Sequence, residues 1–287
     1  MIIKSYSSLN EKAINEVLNL EKACKKHDKL KGSVFLDTSL NFDPDMKSVF
    51  LLYENRELIS MLTMFIPTKQ EAEISAFTLP EYRQNGYFNA LLSKAVDELK
   101  KFEIQKILFV CESQSMSGKA VATALKAEYD HTEYSMRYDR TKLEFMDQYR
   151  LSLITPDIKN LDKIIDISMK TFDDGYEDSK SLIENCLQSK PRKQFLAVLN
   201  DEIIGLGSIN QQRDEALIFG FGIVPEYRGR GYGKELLHLI IDYLWQSGTT
   251  DIMLDVNSDN VHALELYKKC GFQIEIAFEY YKKGLVK

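Results

Sequence analysis

The amino-acid sequence predicts an α/β fold built from two copies of one unit, each with a mixed sheet. The phrase PEYRGRGYGKELL at residues 225–237 returns as PEYRQNGYFNALL at residues 80–92. Segments typical of strands and helices alternate around each phrase in the same order. In each copy, two of the strands flank a tight polar turn. That pair must be antiparallel, which makes the sheet mixed.

One offset aligns the two copies without a gap. Pro80 and Pro225 are 145 residues apart, and the same offset places the predicted hairpin at 195–204 on a second one at 50–59. It also aligns an apolar helix face: Leu236, Leu237, Ile240, Ile241 and Leu244 fall on Leu91, Leu92, Ala95, Val96 and Leu99. Recurring turn residues alone would not reproduce a helix face, so the sequence indicates a duplication, with units at 1–143 and 144–287.

Hydrophobic periodicity and turn residues give the elements of the second copy in order. Helices are predicted where apolar residues recur at helical spacing, and strands where short apolar runs end at glycine, proline or polar turns. The predicted elements are a strand at 150–156, helices at 158–172 and 179–189, the hairpin at 195–204, a strand at 216–224, a helix at 234–246, a strand at 252–257, a helix at 261–270 and a strand at 272–283.

Composition excludes several classes of protein. A formal charge of −6 and a pI near 5.4 disfavour a general nucleic-acid binder, which needs a basic surface. No apolar run approaches the roughly 20 residues that span a membrane, and the N-terminus does not resemble a signal peptide. The four cysteines are scattered without a CxxC pair. We therefore expect a cytoplasmic protein with reduced thiols, bound neither to membranes nor to nucleic acid.

The glycine-rich loop YRGRGYG, at 227–233, has the composition of an anion site. Glycines accept positive φ angles and let backbone N–H groups converge at a helix N-terminus, where a pyrophosphate binds well. Arg228, Arg230 and Lys234 add positive charge. A glycine-rich turn with solvated charges is the alternative. The spacing fits neither a Walker A loop nor the GxGxxG dinucleotide fingerprint.

Two motifs of the second half resemble those of the GNAT N-acetyltransferase superfamily. The first is R-x-x-G-x-G, from Arg228 to Gly233, directly after a strand. The second is the closing segment of the family, formed here by Asn260, Ala263, Tyr267, Gly271 and Phe272. The resemblance covers essentially the whole second half, and the first half shares it through the repeat. It implies two tandem GNAT-like acyl-CoA N-acyltransferase domains.

The resemblance implies acetyl-CoA as the co-substrate, without a metal. Tyr267 stands at the position of the general acid of the family, where a phenol protonates the departing thiolate; a helix-face tyrosine packed on the core is the alternative. The backbone at Ile223 and Val224 is expected to pair with the pantetheine amides, and Gly220 and Gly222 to permit the strands to separate. The residues expected to bind the donor are Ile223, Val224, Arg228, Gly229, Arg230, Gly231, Tyr232, Gly233, Lys234, Asn257 and Asn260.

The general base is not assigned by the sequence. The strand at 216–224 contains no acidic residue, and the candidates at its ends are Glu215 and, on the next strand, Asp255. Both are also explained as strand-end charges that face solvent, and a water chain or a backbone carbonyl would serve instead. The aromatic residues Phe278, Tyr280 and Tyr281 of the last strand are candidates for lining an acceptor site, or simply suit a strand.

The first copy has lost part of the motif. Gln84 and Phe88 replace Gly229 and Gly233, and Ala122 falls opposite Tyr267. We therefore expect a degenerate first domain and a catalytic second domain, although the first domain's residues also allow it to bind acyl-CoA. The predicted function is acetyl-CoA-dependent acetylation of a primary amine on a small molecule or peptide, by a monomer or homodimer. The alternative is a non-catalytic acyl-CoA-binding sensor.

Overall fold

Helices and strands alternate along the part of the chain that the computed structural model describes, residues 1–142 and 148–285. The first half contains β1 (Ile2–Tyr6), α1 (Glu11–Asp28), β2 (Val49–Glu54), β3 (Glu57–Phe65), β4 (Ala72–Thr78), α2 (Tyr87–Lys101), β5 (Lys106–Glu112), α3 (Met116–Ala124) and β6 (Glu128–Tyr138). The second half contains β7 (Ser152–Ile154), α4 (Leu161–Phe172), α5 (Tyr176–Gln188), β8 (Arg192–Leu199), β9 (Glu202–Gln212), β10 (Glu215–Ile223), α6 (Tyr232–Gln246), β11 (Asp251–Asn257), α7 (Val261–Lys269) and β12 (Phe272–Gly284).

Each element predicted for the second half is present, and each of the two compact units has a mixed sheet. In the first unit the strand order is β1-β2-β3-β4-β5-β12; β4 and β5 are parallel, and the other pairs between described strands are antiparallel. In the second unit it is β6-β11-β10-β9-β8-β7; β10 and β11 are parallel, and the other described pairs are antiparallel. The prediction of an α/β fold with mixed sheets is confirmed.

The last strand of each unit comes from the other half of the sequence. Contacts divide the chain into a first unit of Met1–Thr132 with Ile276–Lys287 and a second unit of Glu133–Glu275. In the first unit, the end of β12 pairs with all of β5, antiparallel. In the second unit, the end of β6 pairs with β11, also antiparallel. The sequence does not predict this exchange, and its proposed boundary between residues 143 and 144 lies outside the described residues.

Tight turns close the hairpins that the repeat predicts. The turn between β2 and β3 has positive φ at Asn55 (49°) and Arg56 (71°). The turn between β8 and β9 repeats this at Asn200 (48°) and Asp201 (67°). Two consecutive positive φ angles are the signature of the type I′ turn, whose twist matches that of the strands it joins.

The predicted apolar face of α6 is buried in the core of the second unit. Its five positions, Leu236, Leu237, Ile240, Ile241 and Leu244, are each at most 1% exposed. They join one cluster with residues of β8 to β11. A smaller cluster, in which Leu196 and Leu206 meet α4 and α5, covers the other face of the sheet. The sheet therefore lies between two helical layers, and its strand ends are where a ligand can enter.

Candidate functional site

The two parallel strands of the second unit pair over only part of their length. The register joins Glu215–Ile218 of β10 to Asp251–Leu254 of β11 and ends there. Beyond this point β10 shifts register against β9 between Phe219 and Gly222, where Gly220 takes a φ of 52°. Such a bulge bends a strand away from its neighbour. The inner edges of β10 and β11 therefore separate and leave a gap, as the glycines predict.

Gly222 permits close packing of α4 against this part of β10. A Cβ atom at Gly222 would collide with Thr171 Cγ2 and lie 3.2 Å from Phe172 Cε1. The end of α4 is thus held beside the gap.

A helix N-terminus lies at the end of the gap. After a single helical turn at Pro225–Tyr227, Gly229 (φ 75°) and Gly231 (φ 85°) take the left-handed conformation, and Gly231 is the N-cap of α6 without a side-chain cap. The first intrahelical bond runs from Glu235 N to Gly231 O, 3.2 Å. The N–H groups of the preceding turn, from Tyr232 and Gly233 onward, therefore point out of the helix and form the positive end of its dipole, a suitable anion site.

Arg228 has a positioning role that the sequence does not reveal. Its Nε donates to Ile223 O (2.8 Å) and its Nη2 donates to Thr171 O (2.7 Å). These bonds tie the loop to β10 and to α4, and the expected contribution of the Arg228 charge to donor binding stays a prediction. Arg230 is exposed and lies over the Tyr227 ring, 5.6 Å from its centroid. It remains available as a cation.

Arg150 is a second cation at the loop, and sequence reasoning missed it. Its guanidinium donates to Glu235 Oε2 (3.0 Å) and to Arg230 O (3.2 Å), and it lies 4.3 Å from the Tyr232 ring centroid. Glu235, 1% exposed, also accepts the N–H groups of Arg150 and Leu151. This carboxylate fixes the segment before β7 to the start of α6. The only sequence signal is an acidic residue in the first turn of a helix.

Fewer backbone groups at the gap are free to pair with a ligand than the sequence predicts. Val224 N donates to Ile204 O (2.9 Å) and Val224 O accepts from Tyr227 N (3.0 Å), so the prediction of a free edge is wrong for Val224. Ile223 lies opposite Gly205 of β9. Because residues of an antiparallel pair alternate in the direction of their hydrogen bonds, the N–H of Ile223 points away from β9, toward the gap.

Tyr267 projects from α7 into the wall of this region. The side chain is 7% exposed, and its ring lies 6.0 Å from that of Phe221 on β10 and 6.2 Å from that of Phe272. Burial, with a smaller contribution from Cys270, raises the pKa of Tyr267 to about 12. The phenol therefore keeps its proton throughout the neutral range.

Asn257 and Asn260 shape the turn that leads into α7. Asn257 Oδ1 accepts from Asp259 N (2.8 Å), and Asn260 Oδ1 accepts from Ala263 N (3.1 Å), capping the helix that carries Tyr267. Their expected contact with the donor stays a prediction.

The two acidic candidates for the base lie at opposite ends of the strands. Glu215 begins β10, where β10 and β11 are still paired, about 20 Å along the strand from Phe221. Asp255 follows the last paired residue of β11 and lies opposite Ser135 of β6. Although the Asp255 side chain is accessible to solvent, desolvation by the surrounding protein, with a contribution from Glu133, raises its pKa against an opposing hydrogen bond from Ser135. Asp255 is therefore the candidate that the gap retains.

The aromatic residues of β12 do not belong to the second unit. Phe278 and Tyr281 line a cavity of the first unit, and Tyr280 stacks on His131 with ring centroids 4.3 Å apart. The strand exchange places them in the first unit, and the suggestion that they line an acceptor site stays a prediction.

The described segments 1–142 and 148–285 contain no cluster of three or more histidine, cysteine, aspartate or glutamate side chains arranged to hold a metal. No helix within those same segments is both long and apolar enough to cross a bilayer.

The acetyltransferase (GNAT) family matches this sequence twice, at residues 14–125 and 161–272, which together make up most of the chain. The chain belongs to the GNAT family. Both halves are thus GNAT domains, as the repeat and the motifs predict.

Among curated relatives, the [ribosomal protein bS18]-alanine N-acetyltransferase of Haemophilus influenzae is 39% identical over 85 residues, 29% of this chain and 58% of that protein. The mycothiol acetyltransferase of Renibacterium salmoninarum is 44% identical over 55 residues, 19% of this chain and 16% of that protein. The chain spans little more than half the length of the first relative.

Among solved structures, the GCN5-related N-acetyltransferase from Sphaerobacter thermophilus has a TM-score of 0.75 at 14% identity, covering 99% of this chain and 95% of that one. A tandem GNAT protein from the clavulanic acid biosynthesis pathway also has a TM-score of 0.75, at 13% identity, covering 99% and 98%. These similarities establish the fold of the GNAT chain.

Proposed function

We propose that this GNAT protein transfers an acetyl group from acetyl-CoA directly to a primary amine of a small molecule or peptide, and that the second unit performs the reaction. The observation that carries the proposal is the convergence of three features: the gap between β10 and β11, the uncapped helix N-terminus at Gly231, and the buried phenol of Tyr267.

Each part of the donor has a matching group. The N–H groups at the start of α6 bind the pyrophosphate, assisted by the charge of Arg230. The N–H of Ile223 pairs with a pantetheine amide, as an added strand would. Arg228 and Arg150 hold the loop in place through the main-chain bonds described above. Asn257 and Asn260 stabilise the turn that leads into α7 through the hydrogen bonds described above.

An acceptor that arrives as an ammonium first gives one proton to water, and the neutral amine then loses a second proton during the transfer. The lone pair of the neutral amine attacks the thioester carbonyl carbon, and a C–N bond forms while this second proton passes through water to Asp255, which later releases it to solvent. The C–S bond then breaks with its electron pair left on sulfur, which takes the phenolic proton of Tyr267. The raised pKa of Tyr267 keeps that proton in place until the thiolate appears. Tyr267 afterwards regains a proton from solvent.

The acceptor class follows from charge and from the relatives. The net charge of −6 favours a cationic amine. The names of the relatives give one alanine of a ribosomal protein and one small molecule, mycothiol, as acceptors of those proteins. We therefore propose peptides beginning with alanine and small primary amines as the first acceptors to test.

The test measures acetylated product by mass spectrometry with acetyl-CoA and a panel of these amines. Tyr267→Phe is expected to lower turnover by about 100-fold, because it removes the acid, while acetyl-CoA affinity stays nearly unchanged. Tyr243→Phe on α6 serves as a matched control and should leave turnover intact. Unchanged turnover in Tyr267→Phe would reject the general-acid role. Binding of acetyl-CoA without turnover across the panel would favour the acyl-CoA sensor instead.

A further inference from the structure

The first unit contains a cavity of about 520 Å³, a volume typical of small-molecule sites. It lies where β4 and β5 part, since their parallel pairing ends at Ile74 and Phe109. Its walls are mainly apolar and include Val34, Ile74, Phe109, Val121, Ala122 and Phe278. The unit whose motif has decayed therefore keeps an open, apolar binding space.

The loop at the mouth of this cavity follows the same path as the intact loop. Gln84 (φ 64°) and Gly86 (φ 79°) are left-handed, as are Gly229 and Gly231 in the second unit. Gly86 is the uncapped N-cap of α2, and Gln84, Gly86 and Phe88 line the cavity. A left-handed non-glycine residue costs roughly 1–2 kcal/mol, so the lost glycine has not relaxed the loop into another shape.

The charged side chains on the described wall of the cavity already have ion-pair or hydrogen-bond partners. Arg83 donates to both carboxylate oxygens of Asp28, at 2.9 and 2.6 Å. Glu112 accepts the N–H groups of Lys31 (2.8 Å) and Gly32 (2.7 Å) and the side-chain amide of Gln114 (3.0 Å). With these partners in place, the interior favours an uncharged, apolar group over an ionised one.

The backbone edges of β4 and β5 beside the cavity can form hydrogen bonds with a ligand that carries amide groups. In the described residues after Ile74, β4 pairs with β3 and no longer with β5. In the described residues after Phe109, β5 pairs with β12 and no longer with β4. Alternate N–H and C=O groups of both strands therefore face the cavity. An extended ligand with its own amides would satisfy them, as an added strand does.

We propose that the first unit binds an acyl-CoA whose acyl chain is longer than acetyl, and that it holds this thioester without transferring the acyl group. The pantetheine amides pair with the strand edges, the phosphates lie at the start of α2, and the acyl chain fills the apolar interior. Ala122, 1% exposed, stands where the second unit has Tyr267, so this position leaves room for a chain and supplies no phenol to a thiolate. The phenols of Tyr87 and Tyr281, which also line the cavity, donate to the carboxylates of Glu54 and Glu279.

The test is calorimetric titration of the full-length Gly231→Glu variant, whose added carboxylate blocks the loop proposed for the second unit. Octanoyl-CoA should bind at one site per chain, at least tenfold more tightly than acetyl-CoA. Adding Ala122→Phe, which fills the cavity, should weaken octanoyl-CoA at least tenfold. Thr123→Phe, on the exposed face of the same helix, should leave it unchanged.

The proposal is overturned if octanoyl-CoA does not bind the Gly231→Glu variant, binds no better than acetyl-CoA, or is equally weakened by both phenylalanine substitutions. Should Gly231→Glu not fold, the wild type replaces it: octanoyl-CoA binding that Ala122→Phe weakens and Thr123→Phe does not is expected, and octanoyl-CoA binding that Ala122→Phe leaves unchanged is the contrary result. Two other measurements test the second unit: an acetyl-CoA site in the wild type that Gly231→Glu abolishes, and acetyl transfer to an amine. Failure of the function proposed for the second unit is therefore distinguished from failure of the binding proposed for the first unit.

Discussion

Arg228 and Arg83 occupy the same position of the two loops and make the same main-chain bond. Arg228 Nε donates to Ile223 O at 2.8 Å, and Arg83 Nε donates to Thr78 O at 3.0 Å. The first arginine of the motif therefore fastens the loop to the end of the preceding strand in both units. Sequence alone cannot reveal this role, because a charge near glycines indicates an anion site whichever way the side chain points.

Asp255→Asn tests the proposed base. A raised pKa means that the Asp255 carboxylate forms only above the ordinary aspartate range. The acid limb of kcat/KM should therefore rise through that raised pKa, because only the ionised form accepts a proton. The asparagine variant should lower kcat by about 100-fold and lose this limb of the pH profile.

Glu215→Gln is the matched control, since Glu215 is the first residue of β10 and the gap begins after Ile218. Equal losses in the two variants, or an acid limb that survives in Asp255→Asn, would contradict the assignment and leave the proton to a water chain.

At the scale of the elements, the type I′ turns show how local sequence and fold agree. Asparagine suits the first left-handed position of both hairpins, whereas Arg56 takes the second one at a φ of 71°, where glycine is preferred. The strain is small enough for the hairpin to form, because the strands it joins are buried on both sides of the turn.

Arg56→Gly should stabilise the first unit by about 0.5–1 kcal/mol, since it removes the left-handed strain that a Cβ atom causes. Glu57→Gly, one residue later at the exposed start of β3, should destabilise it by a similar amount because glycine weakens a strand. Midpoints of chemical denaturation measure both changes. Shifts of the same sign would show that strain at Arg56 is not what limits the turn.

The elements were predictable because each depends on local periodicity, and the offset between the copies confirms their order. The gap after Ile218 was also foreseeable from Gly220 and Gly222. The bond network of Glu235 with Arg150 was not, since these residues are 85 positions apart and neither belongs to a motif. The cavity of the first unit was missed for a similar reason: motif decay reports lost side chains, whereas the space between β4 and β5 depends on the backbone.

At the scale of the whole molecule, the exchanged strands make each unit depend on the other half of the sequence. Strand pairing between β5 and β12 supplies one edge of the first unit, and Phe278 packs directly over Gly32, which has no room for a Cβ. Local periodicity predicts that 272–283 is a strand but cannot choose its partner, so it does not reveal that the part of this strand from Ile276 onward joins the first unit.

Ending the chain after Glu275 should therefore destabilise the first unit more than the second. The truncation exposes the edge of β5 and opens the cavity beside Phe278, so we expect an earlier thermal transition and aggregation through the bare strand. A chain that ends at Leu285 is the control and should behave as the full protein does. Thermal unfolding with size-exclusion chromatography distinguishes them, and identical behaviour of both truncated chains would contradict the structural role of the exchange.

The strand exchange also determines when each unit can finish folding during translation. β5 leaves the ribosome long before the residues of β12 that pair with it. Glu112 of β5, for example, cannot pair until Phe278 has been synthesised. At roughly 5–20 residues per second, this wait is on the order of ten seconds. Throughout that interval the nascent first unit has an open strand edge, the feature that chaperones and neighbouring chains recognise. The first domain to be made is thus the last to be completed, so its yield in a cell should depend on translation speed and on chaperone supply.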